Sequence, residues 1–116
     1  MNTEVLFSTK ANFLSGGFSN KNGNILIGDK SFEFYNARNP EDYIQIPWEE
    51  IKRVRAQIFF KDRYIRGFLI DTRKSGSFNF VVKEAGKSLK IMRDLIGNEK
   101  IVRNKSILSL KNLFKK

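Results

Sequence analysis

The chain has 116 residues, with 22 Lys and Arg against 12 Asp and Glu, and a net charge of +10. That length builds one domain around a single core, and no run approaches the roughly 18 apolar residues of a membrane-spanning helix. Cysteine and histidine are both absent, which removes disulfides, thiol chemistry, His-based metal sites, Ser-His-Asp arrangements and phosphohistidine.

The first strand is expected from Val5 to Leu14, followed by a turn at Gly16-Gly17. Asn20 to Asn24 then offers an Asn-Gly pair, Asn22-Gly23, suited to the positive φ of a tight hairpin. Ile25-Leu26-Ile27 reads as a short strand stopped by Gly28-Asp29-Lys30. Phe32 and Phe34 alternate with Glu33 and Tyr35, giving one buried face and one wetter face. The segment Asn36 to Asp42 is dense in turn formers. Ile44 and Ile46 point one way, and Tyr43 and Gln45 the other. Pro47 ends that strand for want of an N–H, and Trp48-Glu49-Glu50 makes one turn that delivers Ile51 to the core.

A long strand follows, with Val54, Ala56, Ile58 and Phe60 on one face and Arg53, Arg55, Gln57 and Lys61 on the other. Lys61-Asp62-Arg63 turns the chain, Tyr64 to Thr72 returns, and a hairpin at Lys74 to Ser77 leads into Phe78, Phe80 and Val82. The period then changes. Ala85, Leu89, Met92 and Ile96 mark an amphipathic helix of about three turns, and Gly97 suits its end. The expected fold is α+β: a curved antiparallel sheet of about seven strands capped by a C-terminal helix. Residues 1–98 form this domain and residues 99–116 a basic tail containing a further amphipathic helix. The 11 phenylalanines read as core filling.

The residues bound the function more than they name it. Acidic groups are scattered, and no Walker loop, HExxH or nucleophile elbow is present. A noncatalytic protein is expected, with no catalytic residue, cofactor or metal. The opening Met1 to Phe7 lacks a basic and then apolar leader, so a cytoplasmic location is expected. Excess positive charge favours anionic partners. Residues 97–116 hold six cations against Glu99, a net +5 and half of the total excess.

One stretch carries a resemblance. Gly28 to Pro40, then Asp42 to Ile51 with its Ile-Pro-Trp-x-x-Ile step, resembles the ManO-like domain-of-unknown-function family. Phe60-Lys61, the Arg73 to Phe78 hairpin and Lys100 to Arg103 are also similar, so the likeness covers residues 5 to 105. The resemblance implies a pleckstrin-homology-like fold. It also implies a small cytoplasmic protein encoded beside a mannose-class sugar phosphotransferase permease, accessory or regulatory in role. With no histidine to phosphorylate, the chain would act on the transporter or its expression rather than in the phosphoryl relay. The expected partners are permease subunits, with weak contact to an anionic membrane surface at the inner face of the cell membrane. The alternative is a nucleic-acid-binding regulator of the transporter genes.

Three sets of residues are candidates for contact. Tyr35, Asn36, Arg38, Asn39 and Asp42, with Trp48, offer hydrogen-bonded recognition of a protein partner or a phosphate. Against that, the amides and Asp42 can serve only the turn, with Arg38 paired to Asp42, and Trp48 can be a core lid. Arg53, Arg55, Gln57 and Lys61, extended by Arg63, Arg66, Arg73 and Lys74, can bind single-stranded nucleic acid with Phe59 and Tyr64 stacking, or form a solvated face or meet an acidic protein. In the tail, Ile107, Leu110 and Phe114 share a stripe, and Arg103, Lys105, Lys111, Lys115 and Lys116 supply charge for a membrane or a partner. That stripe can equally pack on the sheet.

Overall fold

The computed structural model describes residues 1–16, 20–59 and 64–103. Eight strands and one helix follow in chain order: β1 (Val5–Leu14), β2 (Asn20–Gly28), β3 (Ser31–Asn36), β4 (Tyr43–Pro47), β5 (Ile51–Phe59), β6 (Tyr64–Thr72), β7 (Ser77–Val82), α1 (Ala85–Ile96) and β8 (Ile101–Arg103). Single 3₁₀ turns at Trp48–Glu50 and Asn98–Lys100 join β4 to β5 and α1 to β8. The strands form one sheet in the order β4-β3-β2-β1-β7-β6-β5-β8.

Alternation of apolar residues explains the rolled shape. Phe32 and Phe34 of β3, Ile25 and Ile27 of β2, Phe68 and Ile70 of β6 and Phe80 of β7 are all fully or almost fully buried. In a flat sheet β3 and β6 would lie roughly 19 Å apart, four strand spacings. The rings of Phe32 and Phe68 are 6.0 Å apart. The sheet therefore curls until one face encloses a single aromatic core. Across the mouth of the roll, α1 packs on β6 and β2 through Ala85, Ser88, Leu89 and Met92.

The expected α+β, pleckstrin-homology-like plan of about seven antiparallel strands is corrected. The fold is mostly sheet, with eight strands, one short helix and a parallel β5–β8 pair that makes the sheet mixed. The cause lies at Gly97, whose φ of +101° and ψ of +148° are open essentially to glycine alone. That kink ends α1 and returns the chain along β5. Ile101, Val102 and Arg103 then pair with Val54, Arg55 and Ala56, covering backbone groups that an edge strand would expose. The expected tail helix falls in residues 104–116, outside the described residues.

A second correction concerns Asn22-Gly23. These residues do not turn; they lie inside β2, with Gly23 opposite Ala11 on one side and Asn36 on the other. Glycine is required there by close approach. A Cβ would meet the Tyr35 carbonyl oxygen at 2.0 Å and the Phe34 ring at 2.9 Å. Gly23→Ala is expected to lower stability by about 1–3 kcal/mol through forced backbone movement, read as a lower urea midpoint with an unchanged m-value.

The β2–β3 turn is clamped by the segment before β1. The Asn2 side chain accepts from the Lys30 and Ser31 amides, both at 2.8 Å. Asp29 accepts from the Thr3 and Glu4 amides and from the Thr3 hydroxyl. The Thr3 hydroxyl, followed by these amides, holds the Asp29 carboxyl down at about 2, against 3.8 ordinarily. Between those two values the unfolded chain takes up a proton that the folded chain refuses, so stability falls as pH drops through the window. Carboxyl NMR titration should place the Asp29 midpoint near 2; an ordinary midpoint would remove the clamp.

Candidate functional site

The face of β3 opposite the core carries Ser31, Glu33 and Tyr35. Register sets Gln45 of β4 beside Glu33 and Tyr43 beside Tyr35, and directly paired residues share a face. Glu33 is only 3% exposed. Its carboxylate accepts from the Ser31 hydroxyl at 2.8 Å and the Tyr35 hydroxyl at 2.9 Å. Gln45 donates to the same Tyr35 oxygen at 3.1 Å. Burial is the main cause that raises the Tyr35 phenol above its usual value, and Glu33 adds to it.

These bonds fix the Tyr35 ring, and Tyr43 lies against it with centroids 5.6 Å apart. Tyr43 is 51% exposed, a large aromatic surface open to a partner. The sequence reading placed Tyr43 outward but did not single it out. Its alternation with Ile44 and Ile46 was the available signal.

The 36–42 loop resolves into a self-satisfied turn with one free cation. Asn36 donates to Asp42 at 3.1 Å and accepts from the Arg38 amide at 2.9 Å. Asn39 accepts from the Glu41 amide at 3.2 Å. Asp42 pairs with Lys21 at 2.9 Å, not with Arg38. That hydrogen bond from Lys21, then the one from Asn36, lowers the Asp42 carboxyl. Among the described residues, the exposed Arg38 guanidinium has no hydrogen-bond or ion-pair partner. The structure thus brings Tyr35, Tyr43 and Arg38 to one end of the β3–β4 hairpin. Trp48 lies elsewhere: it is 9% exposed, and its indole donates to the Gly28 carbonyl at 2.9 Å. It acts as a core lid.

The basic face of β5 is largely engaged. Arg53 reaches Asp71 at 2.7 Å, and Arg55 reaches the same carboxylate at 2.9 Å. Ser77 donates to it as well. Burial works against charge on Asp71, but Arg55, Ser77 and Arg53 outweigh it and hold the carboxyl below its usual value. Gln57 is buried and bonds Asn79 at 3.4 Å. Arg73 donates to the Glu49 carbonyl at 3.0 Å. Lys61 and Arg63 lie outside the described residues, as do Lys105, Lys111, Lys115 and Lys116. Arg103 is exposed at the end of β8.

Among the described residues no cluster of three or more acidic side chains could hold a metal ion. None of their helices is long and apolar enough to cross a membrane.

Comparisons with known proteins give a family and a fold. No curated protein matches the chain. Solved structures do match. One is the crystal structure of the C-terminal domain of an unknown protein from Leishmania infantum. It is 13% identical, covers 79% of this chain and 83% of that one, and superposes with a TM-score of 0.67. At that identity the likeness speaks for the fold alone. The model of the family described as domain of unknown function DUF956 matches residues 1–114, nearly the whole length, and the chain therefore belongs to that family.

Proposed function

We propose that this protein is a noncatalytic accessory or regulatory component of a mannose-class sugar phosphotransferase permease, bound at its cytoplasmic face. The observation that carries a binding role is the exposed Tyr43 tilted against the anchored Tyr35, at the same end of the hairpin as Arg38, which has no partner among the described residues. Tyrosine and arginine are the side chains most often found to dominate association energies, and a ring already held in place loses little entropy on contact. The choice of permease rests on the resemblance through Gly28 to Ile51. A chain with no histidine suits regulation better than phosphoryl relay. Tail cations from Arg103 to Lys116 would add attraction near an anionic leaflet, about 1 kcal/mol each before screening.

The nucleic-acid alternative draws less support. The two arginines it needs at the centre of its face, Arg53 and Arg55, already share the Asp71 carboxylate. It would also require binding that weakens steeply with salt through counterion release.

The test is recovery of permease subunits from detergent-extracted membranes by the full chain and by Arg38→Ala/Tyr43→Ala. Both substitutions are on exposed side chains, so folding should survive. Recovery is expected to fall about tenfold or more in the variant. Equal recovery would remove the hairpin end from the mechanism, and no recovery by either form would remove the permease.

A further inference from the structure

A groove of about 720 Å³ runs between α1 and the start of β8. Leu89, Ile91 and Ile101 form its apolar part, and Lys87, Lys90 and Arg93 its cationic part. The three cations stand at i, i+3 and i+6 of α1, which aligns them as one ridge along the helix. No carboxylate lines the groove among the described residues. Arg93 approaches Asp94 only to 4.0 Å, both side chains being exposed, a contact worth little. Lys87 sits 4.9 Å from the centre of the Phe7 ring, which orients the ammonium without neutralising it.

We propose that this groove docks an acidic amphipathic segment of a partner protein. Its apolar residues would cover Leu89, Ile91 and Ile101, and its carboxylates would meet Lys87, Lys90 and Arg93. Charge selects this occupant. Residues 104–116 follow β8 in the sequence and include apolar side chains. They also carry four lysines and no acid, so the cationic ridge repels them. A lipid leaflet offers negative charge but a flat surface, which leaves the recessed Leu89 and Ile101 uncovered. A narrow helix with carboxylates flanking an apolar stripe satisfies both shape and charge. The inference is independent of the permease reading and of the Tyr35–Tyr43 face.

The experiment titrates ¹⁵N-labelled full chain with two synthetic helical peptides of one leucine pattern, flanked by glutamate in one and lysine in the other. The glutamate peptide is expected to saturate, with shift changes confined to residues 86–101. The lysine peptide should bind at least about tenfold more weakly, and Lys90→Glu/Arg93→Glu should invert that preference. No saturation by the glutamate peptide, equal binding of both peptides, or shifts mapping elsewhere would overturn the proposal. Leu110→Ser/Phe114→Ser in the full chain provides a second check. Shift changes at residues 86–101 in that variant would give the groove to the chain's own tail. Binding to phosphatidylglycerol vesicles that is lost on the same charge reversal, without peptide binding, would give it to lipid. Either result overturns the assignment.

Discussion

Phe80→Ala is expected to destabilise the protein by about 3–5 kcal/mol, the range for emptying a buried aromatic site. Phe80 is fully buried on β7. Its ring lies 5.1 Å from Phe32, 5.3 Å from Phe13, 5.7 Å from Phe34 and 6.3 Å from Phe68. Those partners come from β1, β3 and β6, so one side chain joins strands from both halves of the roll. The walls of the resulting cavity are held by backbone ladders on every side and cannot collapse far. Urea unfolding should show the loss as a lowered midpoint. Phe78→Ala is the informative control, since Phe78 is only half-buried and among the rings of the described residues meets Phe13 alone, at 5.9 Å. It should cost clearly less; equal losses would deny Phe80 its central place.

Asp71→Ala should cost about 3 kcal/mol, the lower end of the range for breaking a buried ion pair. Its carboxylate is 8% exposed and serves Arg53, Arg55 and Ser77 together. Removing it takes from the Arg55 guanidinium, itself 25% exposed, the carboxylate it reaches at 2.9 Å. The figure stays at the lower end because Arg53, 48% exposed, can turn to water. Asp71→Asn should be milder, since an amide can still accept from Ser77. Acid offers an independent check. The folded carboxyl is held below its usual 3.8, so its stabilisation is complete above that value and is lost as pH falls through the lower folded one. Midpoint against pH should therefore be flatter below pH ~4 in Asp71→Ala than in the parent.

Much of this architecture was legible because strict alternation survives wherever one face meets the core. Val5–Leu14 appears with the expected bounds. Phe32, Phe34, Ile46, Val54, Phe68 and Ile70 all point inward as their spacing implies. The helix from Ala85 to Ile96 is equally plain, because its apolar period and its terminal glycine agree. Three features were hidden. Gly23 looks like a turn residue by composition, whereas its role depends on how near the Tyr35 carbonyl comes. Glu33 sits on the outward phase of an alternating strand, yet Ser31, Tyr35 and the Asn2 clamp enclose that outer surface. The three residues of β8 are too few to show a period, and their pairing depends on an edge that only the folded sheet presents. At the candidate face, turn chemistry offered Asn36, Asn39 and Asp42 local duties as the alternative to partner contact, and each does hydrogen-bond within the loop. What the sequence could not supply was the competition between Lys21 and Arg38 for Asp42, which left Arg38 free.

The parallel docking of β8 against β5 has a consequence for synthesis. As the chain leaves the ribosome, β5 and β6 can pair early, but the flank of β5 stays bare until Ile101 to Arg103 emerge. While the residues between β5 and β8 are being made, the nascent polypeptide thus displays an unguarded strand that a neighbouring chain could zip onto. Crowded overexpression should penalise Gly97→Val beyond its thermodynamic cost, because delayed arrival of that last strand prolongs the vulnerable interval.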